Sequence, residues 1–319
     1  MGGENSIGEV RNGDEGKLPT GEGACGPMGV GFPAFVAEVS SNHHRDLGRC
    51  LEFVKSAGEI GCGAVKFQLF RIRELFAAEA LASDPKFLKR EAWELPVSFL
   101  ADLSAATHAA GMTFSCTPFY LEAVAEMYPH VDFYKIASYE LLWEDLLKEC
   151  ARTGKPVVLS TGMATLLEVE QACAVLRNAG CRDLTLLHCN SAYPTKPEDC
   201  NLGAMGTMRE ACGCPVGWSD HTVNAGVIYR AVHRWGAAMV EFHYDLEGQG
   251  PEFAAGHCWL PGQMRPVIAA VRAGLVADGE SVVGPSRSEI EEREWRADPS
   301  DGLRPMKGKR VVLAQGSSK

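Results

Sequence analysis

The chain has 319 residues, of which 46% are hydrophobic and 23% are charged, enough for one large α/β domain or two ordinary ones. The formal net charge of −10 and the pI near 5.4 argue against a nucleic-acid-binding protein, because no basic stripe is available to neutralise phosphates. A small anionic substrate is compatible with this charge, since a few lysines dominate the field at short range.

No apolar run approaches the roughly 18 residues of a membrane span, and the acidic, glycine-rich N-terminus lacks an apolar signal core. We therefore expect a soluble cytoplasmic protein.

The 12 cysteines are scattered, and Cys50, Cys62 and Cys173 lie in apolar periodic segments, which predicts buried thiols rather than disulfides. Cys212 and Cys214 resemble half of a metal site, but no second pair has matching spacing.

Residues 1–32 are rich in glycine and are predicted to form an irregular arm. Short apolar runs then alternate with segments of helical period, several of which end in glycine. The eight runs lie at 34–39, 64–67, 112–115, 133–136, 156–160, 184–188, 215–218 and 237–242. This alternation predicts a (β/α)₈ TIM barrel over residues 33–279. The alternative, a doubly wound sheet, usually opens with a glycine-rich phosphate turn that is absent after the first run.

Two segments break the alternation. Residues 71–93 are charged, and we interpret them as an extended, partly helical loop after the second strand. Residues 280–319 are polar and rich in glycine and proline, and at about 40 residues they are too short for a convincing second domain. They are predicted to form a C-terminal tail.

The carboxyl ends of barrel strands meet at one rim, so polar residues there are candidates for a site. His221 and His243 follow the seventh and eighth strands, and two neutral imidazoles suit a divalent metal. The alternatives are that His221 hydrogen-bonds to Asp220 and that His243 is a satisfied histidine at a strand end. His188 is interpreted as structural or supporting, and His257 as a residue that could fold over the site.

Lys66 and Lys135 end the second and fourth strands, near the hydroxyl groups of Ser138, Ser160 and Ser219. Lysines act as point charges towards a phosphate, and hydroxyls donate to its oxygens. Either lysine alone could equally end in solvent or pair with Glu38 or Glu140. The whole set favours an anion site.

Eight motifs then occur in a familiar order: AEVSSNHHRDL, GAVKFQ, FSCTPF, YKIAS, GKPVVLSTGMAT, LLHCNSAYP, PVGWSDHT and VEFHY. From about Ala34 to about Gly279 the chain resembles the sialic acid synthase family, which includes N-acetylneuraminate synthase and the legionaminic and pseudaminic acid synthases. The resemblance implies a TIM-barrel transferase of carbohydrate biosynthesis. Such an enzyme condenses phosphoenolpyruvate with the open-chain aldehyde of an N-acetylated hexosamine, giving a nine-carbon 2-keto-3-deoxy acid and phosphate.

The resemblance also implies roles for individual residues. His221 and His243 would hold manganese or magnesium, which polarises the aldehyde and orients the attacking water. Glu140 would transfer protons, and Glu38 is placed both in catalysis and on the sugar side. The phosphoenolpyruvate site would comprise Lys66, Lys135, Ser138, Ser160, Ser219, Thr117, Asn190 and Ser191, and the sugar side Gln68, Phe119, Tyr193 and Asp220.

Three features depart from the family pattern. Phe242 stands where the family usually has a basic residue, although strict strand alternation would point it into the helix layer. The loop after the eighth strand reads Gly250-Pro251-Glu252 instead of a Gly-Pro-Asp-His core. In the family an antifreeze-like domain places an arginine on the sugar, and we expect no such domain within residues 280–319. Three alternatives follow: an arginine of the tail (Arg287, Arg296 or Arg304) would replace that contact, a separate cap protein would supply it, or the acceptor would be a different sugar. We favour the last.

Two other functions stay open at this point. One is a related synthase that uses a different or phosphorylated aldose. The other is a non-catalytic barrel that serves as a binding subunit, which the altered loop favours and the intact set of lysines, serines and histidines opposes. A homodimer is also compatible with the family, although the family's usual dimer depends partly on the antifreeze-like domain.

Overall fold

Eight parallel strands close into a barrel in the computed structural model, which describes residues 32–316. The strands are β1 (Ala34–Glu38), β2 (Ala64–Leu69), β3 (Thr113–Pro118), β4 (Phe133–Ile136), β5 (Val157–Ser160), β6 (Leu184–His188), β7 (Val216–Asp220) and β8 (Met239–His243). Each predicted apolar run forms one strand, and β8 pairs with β1 to complete the closure. The TIM-barrel prediction is confirmed. The irregular arm predicted for residues 1–32 lies outside the described residues except for Phe32.

Helices follow the strands as the periodicity predicts. They are α1 (Leu47–Ile60), α2 (Ile72–Leu75), α3 (Ala78–Ser83), α4 (Leu100–Ala109), α5 (Leu121–Met127), α6 (Glu144–Arg152), α7 (Leu166–Asn178), α8 (Ala204–Cys212), α9 (Ala225–Tyr229), α10 (Pro251–Ala255), α11 (Pro261–Ala277) and α12 (Lys307–Gly316). Local signals set several ends: Asp46 caps α1, and Gly61 ends it with a φ of 95° that favours glycine. The charged 71–93 segment contains α2, α3 and a 3₁₀ stretch, so its predicted partial helicity is confirmed.

The chain divides into two compact units between Ala269 and Ala270. In the second unit, α12 begins where Asp298 accepts a hydrogen bond from the backbone of Lys307, and Arg310 pairs with Asp301. The domain limits at residues 32 and 279 stay a prediction. Among the described residues, no helix has the length and apolar character needed to cross a membrane.

The barrel interior changes from apolar to polar along six of the strands, and this change positions the site. A buried cluster joins six strands through Val36, Ala64, Phe133, Val158, Leu187 and Met239. Because side chains alternate between the two faces of a strand, the next residue on the same face lies two positions further on. Those positions hold Glu38, Lys66, Lys135, Ser160, Cys189 and Glu241. The apolar layer therefore forms the floor beneath a layer of charges and hydroxyls.

Candidate active site

Both predicted lysines are buried in the polar layer and paired with carboxylates. Lys66 forms an ion pair with Glu38, and its Nζ donates to Thr117 Oγ1 at 3.0 Å. Lys135 Nζ lies 3.2 Å from Glu241 Oε1, so its partner is Glu241 rather than Glu140. Both lysines therefore lie in the barrel interior, within reach of a common ligand.

Glu241 is the main residue of this layer whose function was not predicted from the sequence. Its Oε1 also accepts from Ser219 Oγ at 3.1 Å, and its Oε2 lies 4.0 Å from Lys66 Nζ. Burial by itself would raise the pKa of Glu241, but Lys135 and Lys66 lower it to about 2. The signal available in the sequence was its position two residues before His243, on the same face of β8.

Several polar groups in this layer lack partners. Among the described residues, Ser160 Oγ, Ser191 Oγ and Glu140 Oε2 are buried without a hydrogen bond. Because burying an unpaired polar group is unfavourable, such atoms mark places where a ligand can bind.

Burial raises the pKa of Glu140 to about 7 against the opposing effect of Lys135. A carboxyl group with this pKa can carry or release a proton near neutral pH.

Gly162 brings the backbone close to these hydroxyls. Its amide donates to Ser138 Oγ at 3.0 Å, and Ser138 Oγ lies 3.2 Å from Cys189 Sγ. A Cβ atom at position 162 would overlap Ser191 Oγ and lie 2.9 Å from Ser138 Oγ. Only glycine therefore leaves room for the hydroxyls to converge, as a multi-oxygen anion requires.

The two predicted metal ligands lie together, with ring centroids 5.3 Å apart. His221 Nδ1 is 2.7 Å from the carbonyl oxygen of Asn190 and must carry the proton, because a carbonyl only accepts. His243 Nδ1 lies 2.9 Å from Glu252 Oε2. In the part of the chain that the structure describes, neither Nε2 atom has a hydrogen-bond partner. Both rings thus present an Nε2 lone pair, which fits the donor set of a divalent metal.

The pKa values of the two imidazoles are shifted in opposite directions. Burial and the nearby His243 lower the pKa of His221 to about 3, so its ring is neutral at physiological pH. Burial also acts to lower the pKa of His243, but its bond to Glu252 raises it overall. One ring is therefore a neutral ligand, and the other is made more basic by a carboxylate.

The loop after β8 brings further polar side chains to His243. His257 and Cys258 are buried there, and with His243 and Glu252 they form a group that could hold a metal ion. Tyr193 packs its ring against three imidazoles, with centroids 4.2 Å from His221, 5.8 Å from His243 and 5.1 Å from His257. His257 thus lies beside the site.

Other predicted residues make mainly structural contacts. Both oxygens of Asp220 are engaged: Trp218 Nε1 and Thr222 Oγ1 donate to one, and Trp259 Nε1 and the Val223 amide to the other. His188 Nε2 bonds to the backbone carbonyl of Cys200 at 2.9 Å, as its structural interpretation predicts.

Asn190 and Ser191 line a cleft of about 650 Å³ together with Thr161, His188 and Asp199. The Asn190 side chain is bonded within its own loop, to the amide of Ala192 and the carbonyl of Asp199. Its contribution to the site is therefore the carbonyl that orients His221.

On the predicted sugar side, Gln68 Nε2 donates to Glu38 Oε1 at 2.7 Å and to Ser40 Oγ at 3.2 Å. Phe119 packs edge-on against Phe70. Phe242 is fully buried and packs against Tyr244, which contacts Phe53 of α1. It therefore points into the helix layer, as strand alternation predicts, and removes no charge from the site.

Comparison with known proteins identifies the relatives of this barrel. The model of the NeuB family matches residues 53–282. The chain belongs to the NeuB family. It is similar to the pseudaminic acid synthase of Helicobacter pylori, with 30% identity over 83% of this chain and 81% of that protein. Its identity to the N,N'-diacetyllegionaminic acid synthase of Campylobacter jejuni is 31%, over 80% of each chain.

Solved structures agree with this family assignment. The N-acetylneuraminic acid (sialic acid) synthetase of Leptospira borgpetersenii superimposes with a TM-score of 0.73 at 27% identity. The match covers 84% of this chain and 93% of that one. The predicted resemblance is confirmed, while the functions of individual site residues stay predictions.

Proposed function

We propose that this NeuB-family protein condenses phosphoenolpyruvate with the aldehyde of an N-acetylhexosamine-type sugar. With one water, the products are a nonulosonic, sialic-like 2-keto-3-deoxy acid and inorganic phosphate. The observation that carries the proposal is the meeting of two half-sites at one rim. Buried lysines with unpaired hydroxyls form one half, and two imidazoles with free Nε2 atoms form the other. The three relatives named above are called pseudaminic, legionaminic and sialic acid synthases, and these names support the same reaction class.

Phosphoenolpyruvate would bind in the half-site of lysines and hydroxyls. Lys66 and Lys135 supply positive charge, which Glu38 and Glu241 balance before the ligand arrives. The unpaired hydroxyls donate to the phosphate and carboxylate oxygens. Ser138, Ser160, Ser191, Ser219, Thr117 and the Asn190 loop complete this half.

His221 and His243 would hold manganese or magnesium through Nε2, and the Lewis acidity supplied there would polarise the sugar aldehyde. Glu140 transfers a proton as phosphoenolpyruvate C3 bonds to the aldehyde carbon and as phosphate leaves from C2. Its pKa near 7 suits that task, because both protonation states are populated at neutral pH. Glu38, Gln68, Phe119, Tyr193 and Asp220 are assigned to the sugar side.

The test is phosphate release from phosphoenolpyruvate with manganese, across N-acetylmannosamine, mannose, their 6-phosphates and the diacetamido sugars of legionaminic and pseudaminic acid synthesis. We expect release with at least one unphosphorylated amino sugar and loss of release in His221→Ala. The matched control is His108→Gln, because His108 is a half-exposed histidine on α4 that contacts Asp132. Phosphate release with only a phosphorylated or non-amino aldose would make that aldose the acceptor in place of an N-acetylhexosamine. Phosphoenolpyruvate binding without phosphate release with any sugar would favour a binding subunit.

A further inference from the structure

Glu252 connects the metal half-site to the loop after β8. It lies in α10, and its Oε2 is 2.9 Å from His243 Nδ1, 3.7 Å from His257 Nε2 and 3.8 Å from Cys258 Sγ. One carboxylate oxygen therefore faces three side chains that could each bind a metal.

The other oxygen connects Glu252 to the loop after β1. Its Oε1 accepts from Ser40 Oγ at 2.6 Å and from Ser41 Oγ at 2.7 Å. Ser40 has a φ of 50°, a left-handed conformation that surrounding bonds must hold in place. Ser40 Oγ in turn accepts from Gln68, which also bonds to Glu38. A continuous network thus runs from His243 to the sugar side.

We infer that Glu252 is the positioning residue for His243, and that it acts as a hydrogen-bond acceptor rather than as a metal ligand. The inference rests on the proposed function for the identity of the metal ligands. Both oxygens of Glu252 already accept hydrogen bonds from protein donors. With Nδ1 bonded to Glu252, His243 offers Nε2, the same nitrogen that His221 offers. A carboxylate behind a ligating imidazole fixes its tautomer and increases its basicity.

A manganese titration that follows free Mn²⁺ by electron paramagnetic resonance, with neither substrate present, tests this role. We expect Glu252→Gln to weaken Mn²⁺ binding by about 10- to 100-fold. Glu252→Asp keeps a carboxylate and should recover part of that loss. In turnover assays, saturating Mn²⁺ should restore most of the kcat of Glu252→Gln. A side chain that only supports the fold would show no such recovery.

Two comparisons separate the positioning role from direct ligation. Glu247→Gln is the matched control, because Glu247 belongs to the same loop but pairs with Arg49; its Mn²⁺ affinity should stay within twofold. Cys258→Ser should also stay within twofold, and the Co²⁺-loaded protein should lack a thiolate-to-cobalt absorption band.

A thiolate band that disappears in Cys258→Ser would make Cys258 a metal ligand. Because Cys258 Sγ lies 3.8 Å from Glu252 Oε2, the ion would then lie against this carboxylate, and the inference would be overturned. Unchanged Mn²⁺ affinity in Glu252→Gln would overturn it too. Failure of the proposed condensation would appear as a lack of product, whereas failure of the inference about Glu252 would appear in the Mn²⁺ titration. The two failures are therefore distinguishable.

Discussion

At the scale of single residues, the site is governed by buried charges that compensate each other. Lys66 and Lys135 are each at most 3% exposed, and such charges are tolerable in the interior only when they are paired. Glu38 and Glu241 provide the partners. The layer thus has no large net charge before the substrate binds, and an anion can exchange places with a carboxylate as the lysines' partner.

Glu140 leads to a prediction about pH. Its pKa is raised from 4.5 in the unfolded chain to about 7, so the native state binds the proton more tightly. The stabilisation from protonated Glu140 is complete below about pH 4.5 and is lost as pH rises through about 7. Relative to Glu140→Gln, the wild type should lose about 3 kcal/mol of unfolding free energy between pH 4 and pH 8.

Urea denaturation at several pH values measures that difference. The same substitution should remove the limb near pH 7 from the pH dependence of kcat, since glutamine cannot transfer a proton. A pH-independent stability difference would mean that Glu140 titrates in the folded protein as it does in solvent.

At the scale of elements, the loop after β8 is tied to neighbouring strands and loops by polar contacts. Trp259 Nε1 donates to Asp220 Oδ2 at 2.9 Å, and its backbone pairs with Tyr244. Arg49 of α1 bonds to the carbonyl of Asn42 and to Asp245. These contacts set the position from which Glu252 reaches His243.

Removing one of these contacts should loosen the loop. Trp259→Phe keeps the aromatic packing but leaves Asp220 without one donor, and a hydrogen bond to a charged group contributes about 1.5–3 kcal/mol. We expect a loss of that size in urea denaturation and faster amide hydrogen exchange across residues 244–260. Exchange that increases equally throughout the barrel would contradict a local role for the contact.

At the scale of the whole molecule, ligands that bind only the native barrel must stabilise it. Phosphoenolpyruvate and Mn²⁺ at about 100 times their dissociation constants should each add about 2.7 kcal/mol. For a chain of this size, such a gain raises the melting temperature by several degrees. Calorimetry should detect the rise, and His221→Ala should lose the Mn²⁺ contribution while keeping part of the phosphoenolpyruvate contribution. Equal Mn²⁺-induced rises in the melting temperature of the wild type and of His221→Ala would mean that the metal binds elsewhere.

Much of the barrel could be predicted without coordinates. Strand and helix periods are local properties, and the glycines at 61, 111 and 180 lie just beyond their helices with positive φ. The layer of lysines, serines and histidines follows from the same periodicity, because strand ends meet at one rim. The orientation of Phe242 also depends only on alternation along β8.

The side-chain partners across the barrel could not be predicted from these local patterns. Lys135 pairs with Glu241 rather than with Glu140, a choice that depends on strand register and on which side chains share a level inside the barrel. Glu252 reaches His243 through a loop whose path depends on contacts with Trp259 and Ser40. Linear order thus specifies which chemical groups reach the rim, whereas register, loop paths and burial, all long-range properties, set their partners and their protonation.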